Sequence, residues 1–385
     1  MPSDFSIFNM LNPISMPTSI YELLRYSIQK QFLSQTDHVE VQELISRHKN
    51  WNNLLLAAKN NGVVAFLHHS LQEHKKLVPN DVWTAVETMF DTGKEKNEKH
   101  FQHLREAVNH CAGAGLEIIP YKGPSLSVMY PDTTLRTFLD LDVIIHEDDV
   151  RRSIDIFRQI GYSPKFENTP RNIAHLMVHD HALEFVDTVN SVEMDVHWRL
   201  AKSYYKVDLD MKRMWERSEM KNAFGTRVRQ LHPEDLFLSI LVHHGMRNYF
   251  KKMRHICDFH ALVNSHPGLD WNRIHLETRK LNLSKCLYVG LRLCEQLLGT
   301  TVPPEIASSL NKEKSVNPIC QRIKTVWLDE ARSYAKVGSR IIIKSGLRDS
   351  SMIRAKTVAT EVYQEMKRIN FSRIRNKAFG MANYS

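Results

Sequence analysis

Asp140-Leu141-Asp142 stands inside an apolar run, Phe138 to Ile145, and carries the clearest chemistry in the chain. Successive side chains of a strand alternate between its faces, so the two carboxylates point the same way. Two anions brought together repel each other and cost free energy to desolvate, and a fold keeps such a pair where something positive binds between them. A third carboxylate comes from Val192-Glu-Met-Asp-Val-His-Trp198, whose alternation puts Asp195 and His197 on one face and Val196 and Trp198 on the other. Hard oxygen donors from three aspartates suit Mg2+ or Mn2+, which bind few protein carboxylates and complete their shell with water and substrate phosphates. A lone D-x-D pair is equally a strand-end or turn feature, and it is the ordered third aspartate that favours a metal.

Other residues surround this set in a definite order. Lys122-Gly123-Pro-Ser-Leu126 comes first, then Tyr130-Pro131-Asp132, Arg136, Asp140-Leu-Asp142-Val143 and Asp195-Val-His197-Trp198. Over Tyr121 to Leu200 this order resembles the uncharacterised nucleotidyltransferase family of the DNA polymerase β superfamily. A weaker echo of that family's helical C-terminal part follows in His232-Pro-Glu-Asp235, His243-His-Gly245 and Asp258. The resemblance implies metal-dependent transfer of a nucleoside monophosphate from an NTP, with ATP the first choice, and release of pyrophosphate. The acceptor would be a small molecule, a peptide or a protein. It also implies Asp140, Asp142 and Asp195 as the catalytic carboxylates that hold Mg2+ or Mn2+. The wider superfamily has Gly and Ser adjacent, whereas here Pro124 separates Gly123 from Ser125.

The stretch around Lys122 has a physical reading of its own. Leu116 to Tyr121 is a short apolar run ending at Gly123 and Pro124, after which Ser125 to Tyr130 reads as helix. A glycine at such a junction lets backbone approach a ligand, and free N–H groups at a helix start favour an anion. Lys122, Gly123, Ser125 and Arg136 are therefore the expected nucleotide-binding residues, Arg being the better bidentate partner for phosphate. A structural strand-to-helix turn with two solvated basic residues explains the same stretch taken alone. His197, on the face of Asp195, is expected to orient a carboxylate or bind substrate, or else to be a satisfied interior histidine. His181 opens a strand, His181 to Val186, that should pair with the Asp195 strand and so lie near the site. His175 and His179 are four residues apart but lack the Glu of an H-E-x-x-H site, and read as histidines at the surface or supporting the site from behind its ligands.

Composition limits what else the chain does. At 385 residues it is long for one core, and 42% hydrophobic residues with a mean hydropathy of −0.38 suit globular packing. No apolar run approaches the roughly 18 residues of a membrane span. The start of the chain has Asp4, no basic opening and no apolar stretch, so a cytoplasmic protein is expected. The five cysteines are scattered without a C-x-x-C pair, which argues for buried small hydrophobes rather than a disulfide framework.

The expected fold is α+β, a polymerase β-like core with a mixed sheet flanked by helical regions. Apolar spacing predicts an N-terminal helical region over 1–112, the core over 113–231 and a C-terminal helical domain over 232–338, which includes one helix from Glu234 to Gly245. The remainder, 339–385, is a basic tail. From Arg340 onward it holds ten Lys or Arg against three acids, +7 of the chain's net +9. A solvated, partly disordered end is the favoured reading, over contact with nucleic acid or an anionic membrane through Phe371, Ile374 and Phe379 interleaved with Arg373, Arg375 and Lys377. A nucleic-acid-binding or nucleic-acid-modifying protein and a catalytically inactive interaction protein are the alternatives to the transferase.

Overall fold

The computed structural model describes residues 18–33, 38–328 and 335–381. Three- and four-residue apolar spacing gives α1 (Thr18–Phe32), α2 (His38–Arg47), α3 (Trp51–Asn61), α4 (Val64–Gln72) and α5 (Asn80–Gly113). The 34-residue α5 serves two cores. Val82, Trp83 and Val86 pack into the helical body, while Leu104, Ala107, Val108 and Cys111 pack against the sheet. Residue 112, the expected boundary, falls at the end of this helix, but the helix itself belongs to both units and splices them together.

The sheet is mixed and five-stranded, in an α+β fold. Its strands are β1 (Ile119–Tyr121), β2 (Asp140–Ile144), β3 (Tyr162–Pro164), β4 (Ala182–Asp187) and β5 (Val192–His197), in the order β1-β2-β5-β4-β3. β2 and β5 run parallel and the other pairs antiparallel. Leu141, Val143, Met194 and Val196 turn one face into a core shared with α5 and with Ile154 and Phe157 of α7 (Val150–Gln159), a segment that begins its turn after β2. Between β1 and β2 lies α6 (Gly123–Ser127), shorter than the expected Ser125–Tyr130 helix. α8 (Pro170–His179) carries the exposed His175 and His179. After β5 and α9 (Met211–Arg217), β6 (Glu219–Ala223) pairs with β7 (Thr226–Gln230) in a separate hairpin. The end of the expected core, 227–231, thus holds most of one arm of that hairpin. β6 escapes sequence reading because its residues are almost all exposed, leaving no apolar alternation.

The C-terminal helices are α10 (Pro233–Ile240), α11 (Met253–Ser265), α12 (Trp271–Lys280), α13 (Ser284–Leu298), α14 (Pro304–Lys312) and α15 (Val316–Leu328). The single helix expected from Glu234 to Gly245 changes form at its middle: Leu241–Arg247 is a π-helix. Over its described part the basic tail is helical, and much of its second helix is exposed. α16 (Ala335–Gly346) and α17 (Ser351–Met381) pack as a hairpin, tied by Lys344 to Glu361 at 2.6 Å and Arg340 to Glu365 at 2.8 Å. Asp349 between them accepts from the backbone N–H groups of Ser284 and Lys285 at the start of α13. Of the three acids of the tail, Glu361 and Glu365 hold the hairpin together and Asp349 docks it on α13. The side chains of Phe371, Arg373, Ile374, Arg375, Lys377 and Phe379 lie outside the described residues, as do Asp4 and residues 329–334 of the expected C-terminal helical domain. Among the described residues, no helix is long and apolar enough to cross a membrane, and all five cysteines are buried thiols.

Candidate active site

The parallel pairing of β2 with β5 aligns Asp140 with Glu193, Asp142 with Asp195 and Ile144 with His197, so all six side chains share one face. Glu184 stands opposite Asp195 across the β4–β5 ladder. Because the opposite face is wholly apolar, a slip of one residue would drive the carboxylates into the core, and the register is strongly specified. The loop leading into β2 is clamped from α5: Asn97 donates to the carbonyls of Thr133 and Arg136 and accepts from the Phe138 N–H, and His100 Nε2 lies 3.1 Å from the Leu139 carbonyl.

Asp142 is held on one oxygen. Its Oδ1 meets both Lys122 Nζ and His197 Nε2, the latter at 2.9 Å. Burial, and then the Lys122 charge, hold His197 well below the usual imidazole range, so the ring is neutral. A carboxylate only accepts, so Nε2 carries the proton and donates it. Donor atoms of Asp142, Asp195 and His197 lie within 4.8 Å of one another. Asp140 shares their face but falls outside that set. Asp195 makes no hydrogen bond or ion pair among the described residues; burial, then the charges of Asp142 and Asp140, push its carboxyl up to about 7. Burial and Asp142 likewise raise Asp140. His181 Nδ1 bonds Asp180 at 2.7 Å, its ring lies 5.2 Å from that of His197, and its buried Nε2 has no hydrogen-bond partner. Undercompensated anions beside an unpartnered imidazole nitrogen, in a set rich in hard oxygens, fit a divalent metal ion.

The four residues expected at the nucleotide are built differently. Lys122 lies in strained backbone, φ 56° and ψ −118°, which for a non-glycine residue costs about 1–3 kcal/mol and is typical of functional sites. That conformation delivers its Nζ to Asp142 and 4.6 Å from the centre of the Tyr121 ring. Gly123 faces Phe138, whose ring and Cβ would lie 3.0 Å from an added Cβ. Ser125 Oγ donates to the Pro120 carbonyl at 2.8 Å. Arg136 departs furthest from expectation. Its Nε and Nη2 bind the two oxygens of Asp258 at 2.7 and 3.1 Å and its Nη1 binds the Thr137 carbonyl at 2.9 Å, so every nitrogen is engaged within the protein.

Asp258 is a hub for residues of several motifs. Besides Arg136 it accepts from Tyr130 Oη at 2.6 Å and from His244 Nε2 at 2.8 Å. Tyr-Pro-Asp, the arginine, the His-His-Gly segment and Asp258 itself therefore meet at one buried point where the sheet joins the helical body. A family model described as an uncharacterised nucleotidyltransferase matches residues 47–299, more than half of the chain. The chain belongs to this nucleotidyltransferase family. A search of curated proteins finds no match. The nucleotidyltransferase match contains the aspartates and the Asp258 hub and ends beyond α13, leaving α14 to α17 outside it. Sequence reading missed Asn97 and Glu184 at this site. Glu184 was within reach of strand alternation, but nothing local distinguishes Asn97 from other helical polar residues.

Proposed function

We propose that this nucleotidyltransferase transfers a nucleoside monophosphate from an NTP, ATP being the first to test, to an acceptor hydroxyl, on a polymerase β-like core. The observation that carries the reading is the set of three carboxylates, Asp140, Asp142 and Asp195, on one face of a parallel strand pair, of which Asp140 and Asp195 have no counter-ion among the described residues. A bound Mg2+ or Mn2+ would neutralise phosphate charge and acidify the attacking hydroxyl. Asp142, fixed by Lys122 and His197, would bind the ion in one orientation, with Asp195 completing the site. In the transfer, the acceptor oxygen forms a bond to the α-phosphorus, the bond to the pyrophosphate oxygen breaks, and the acceptor's proton passes to a carboxylate of the site, for which we choose Asp195. The acceptor is a small molecule, peptide or protein bearing that hydroxyl.

The test is metal-linked binding followed by turnover. With Mg2+ and a nonhydrolysable ATP analogue at about a hundred times its dissociation constant, mass action should add about 2.7 kcal/mol of stability, seen as a rise in Tm. Asp142→Asn and Asp195→Asn should fold without ligand and lose most of that rise, and the wild type should release pyrophosphate from an NTP when supplied with acceptor extracts. An inactive interaction protein would give no metal-dependent increment. Equal increments in wild type and both variants would overturn the reading.

A further inference from the structure

A triphosphate needs cations, and the two basic residues expected to supply them are neutralised inside the protein, Lys122 on Asp142 and Arg136 on Asp258. Arg247, the last residue of the π-helical segment, is in the opposite condition. Its Nη1 is enclosed by protein and has no hydrogen-bond partner, and among the described residues Arg247 forms no ion pair. The Arg247 side chain is half-buried, and an enclosed donor without a partner is costly and calls for an explanation, a bound ligand being one.

Its neighbours locate it. The Arg247 charge acts on Tyr121, Lys122, His181 and His197. These side chains form the wall around Asp142: the Tyr121 and His197 rings meet edge-on at 5.1 Å, and those of His181 and His197 at 5.2 Å. On the other side Arg247 acts on Tyr205 and Lys344, and Lys344 is already paired with Glu361. The guanidinium thus lies within electrostatic reach of the residues around Asp142 and of Lys344 in the C-terminal hairpin, and it forms no ion pair among the described residues. The same site holds uncompensated anions, Asp140 and Asp195, that do not pair with it. A ligand that satisfies both must present a cation and an anion together, which a divalent ion carrying a polyphosphate does.

We propose that Arg247 binds the polyphosphate of the NTP, its guanidinium donating to non-bridging phosphate oxygens in the role first expected of Arg136. This rests on the reading of the site as a metal–NTP site. It deepens that reading by naming the residue and by bringing the π-helical segment into the active site.

Calorimetric titration with inorganic tripolyphosphate and Mg2+ tests it without an acceptor or a choice of base. Arg247→Ala should weaken binding at least tenfold, and Arg247→Lys, which keeps the charge but loses the planar fork, should fall between. The unliganded Arg247→Ala protein should melt no lower than wild type, because the substitution removes an unpaired charge; a structural arginine would instead lower the Tm. Wild-type affinity in Arg247→Ala, or a lowered unliganded Tm with affinity unchanged, overturns the assignment while the aspartate site stands. Absence of Mg2+-dependent binding in the wild type, or binding indifferent to Asp142→Asn, overturns the underlying reading and the assignment with it.

Discussion

Asp258 has no exposed surface, yet it keeps its charge. Burial alone would raise its carboxyl, but the facing Arg136 guanidinium and the His244 hydrogen bond outweigh this and hold it well below the usual range. The hydrogen bonds also fix tautomers. His244 donates through Nε2, so its Nδ1 is an acceptor, and the 2.9 Å contact with His243 Nδ1 must be donated by His243. Removing one partner of such a buried pair strands the other, so Arg136→Ala and Asp258→Ala should each destabilise the protein by about 3–5 kcal/mol. The double variant should cost clearly less than the two together, since neither charge is then left unpaired. Urea unfolding of the four proteins measures this coupling. Strictly additive losses would mean that Arg136 is free for another task, such as the triphosphate.

The π-helical segment is the element that departs most from local expectation. A helix that closes i to i+5 in place of i to i+4 is rare and gathers at functional sites. Here the segment delivers His244 to Asp258 and ends on Arg247. Its glycine is set by close approach: a Cβ at Gly245 would lie 2.3 Å from Cys286 Sγ of α13 and 2.8 Å from the Phe250 ring. Neither neighbour is the flexible end of a side chain, so Gly245→Ala should destabilise by about 1–3 kcal/mol through overpacking. Cys286→Ala in the same chain should recover part of that loss by removing the nearer atom. Denaturant midpoints of the single and double variants decide it, and a neutral Gly245→Ala would mean that α13 does not press on the segment as described.

Across the whole molecule, burial keeps many histidines neutral. His68, His100, His244 and His255 are all lowered by burial first, and His260 to about 4. Each has a folded pKa below its unfolded value of about 6.5, so the unfolded chain takes up the proton first. The stability they contribute is complete above about pH 6.5 and is lost as pH falls toward their folded values. The slope is at most about 1.4 kcal/mol per pH unit for each group while it titrates. Urea midpoints should therefore hold between pH 8 and 7 and drop steeply between 6.5 and 5. His260→Gln, which can keep a partner to Thr300, should make the drop shallower. A flat profile down to pH 5 would show that these rings are already charged in the folded protein.

What could be read from the chain alone was what is local. Period-two alternation predicts that Asp140 and Asp142 share a face and that Asp195 and His197 share another, and three- and four-residue spacing predicts the helices of the N-terminal region, because each pattern follows from one element's own geometry. Which charges are left unpaired was decided by tertiary structure, because the partners lie far apart in sequence. Arg136 meets Asp258 across 122 positions, and His197 meets Asp142 across 55. A basic residue next to a phosphate-binding motif looks the same in sequence whether its counter-ion is a substrate or a distant aspartate. The parallel register that joins Asp142 to Asp195, the π-helix, the pairing of the tail hairpin through Glu361 and Glu365 and its docking through Asp349 belong to the same class. Each depends on surfaces from separate elements meeting, and a residue's pattern along its own strand or helix carries no record of what it meets.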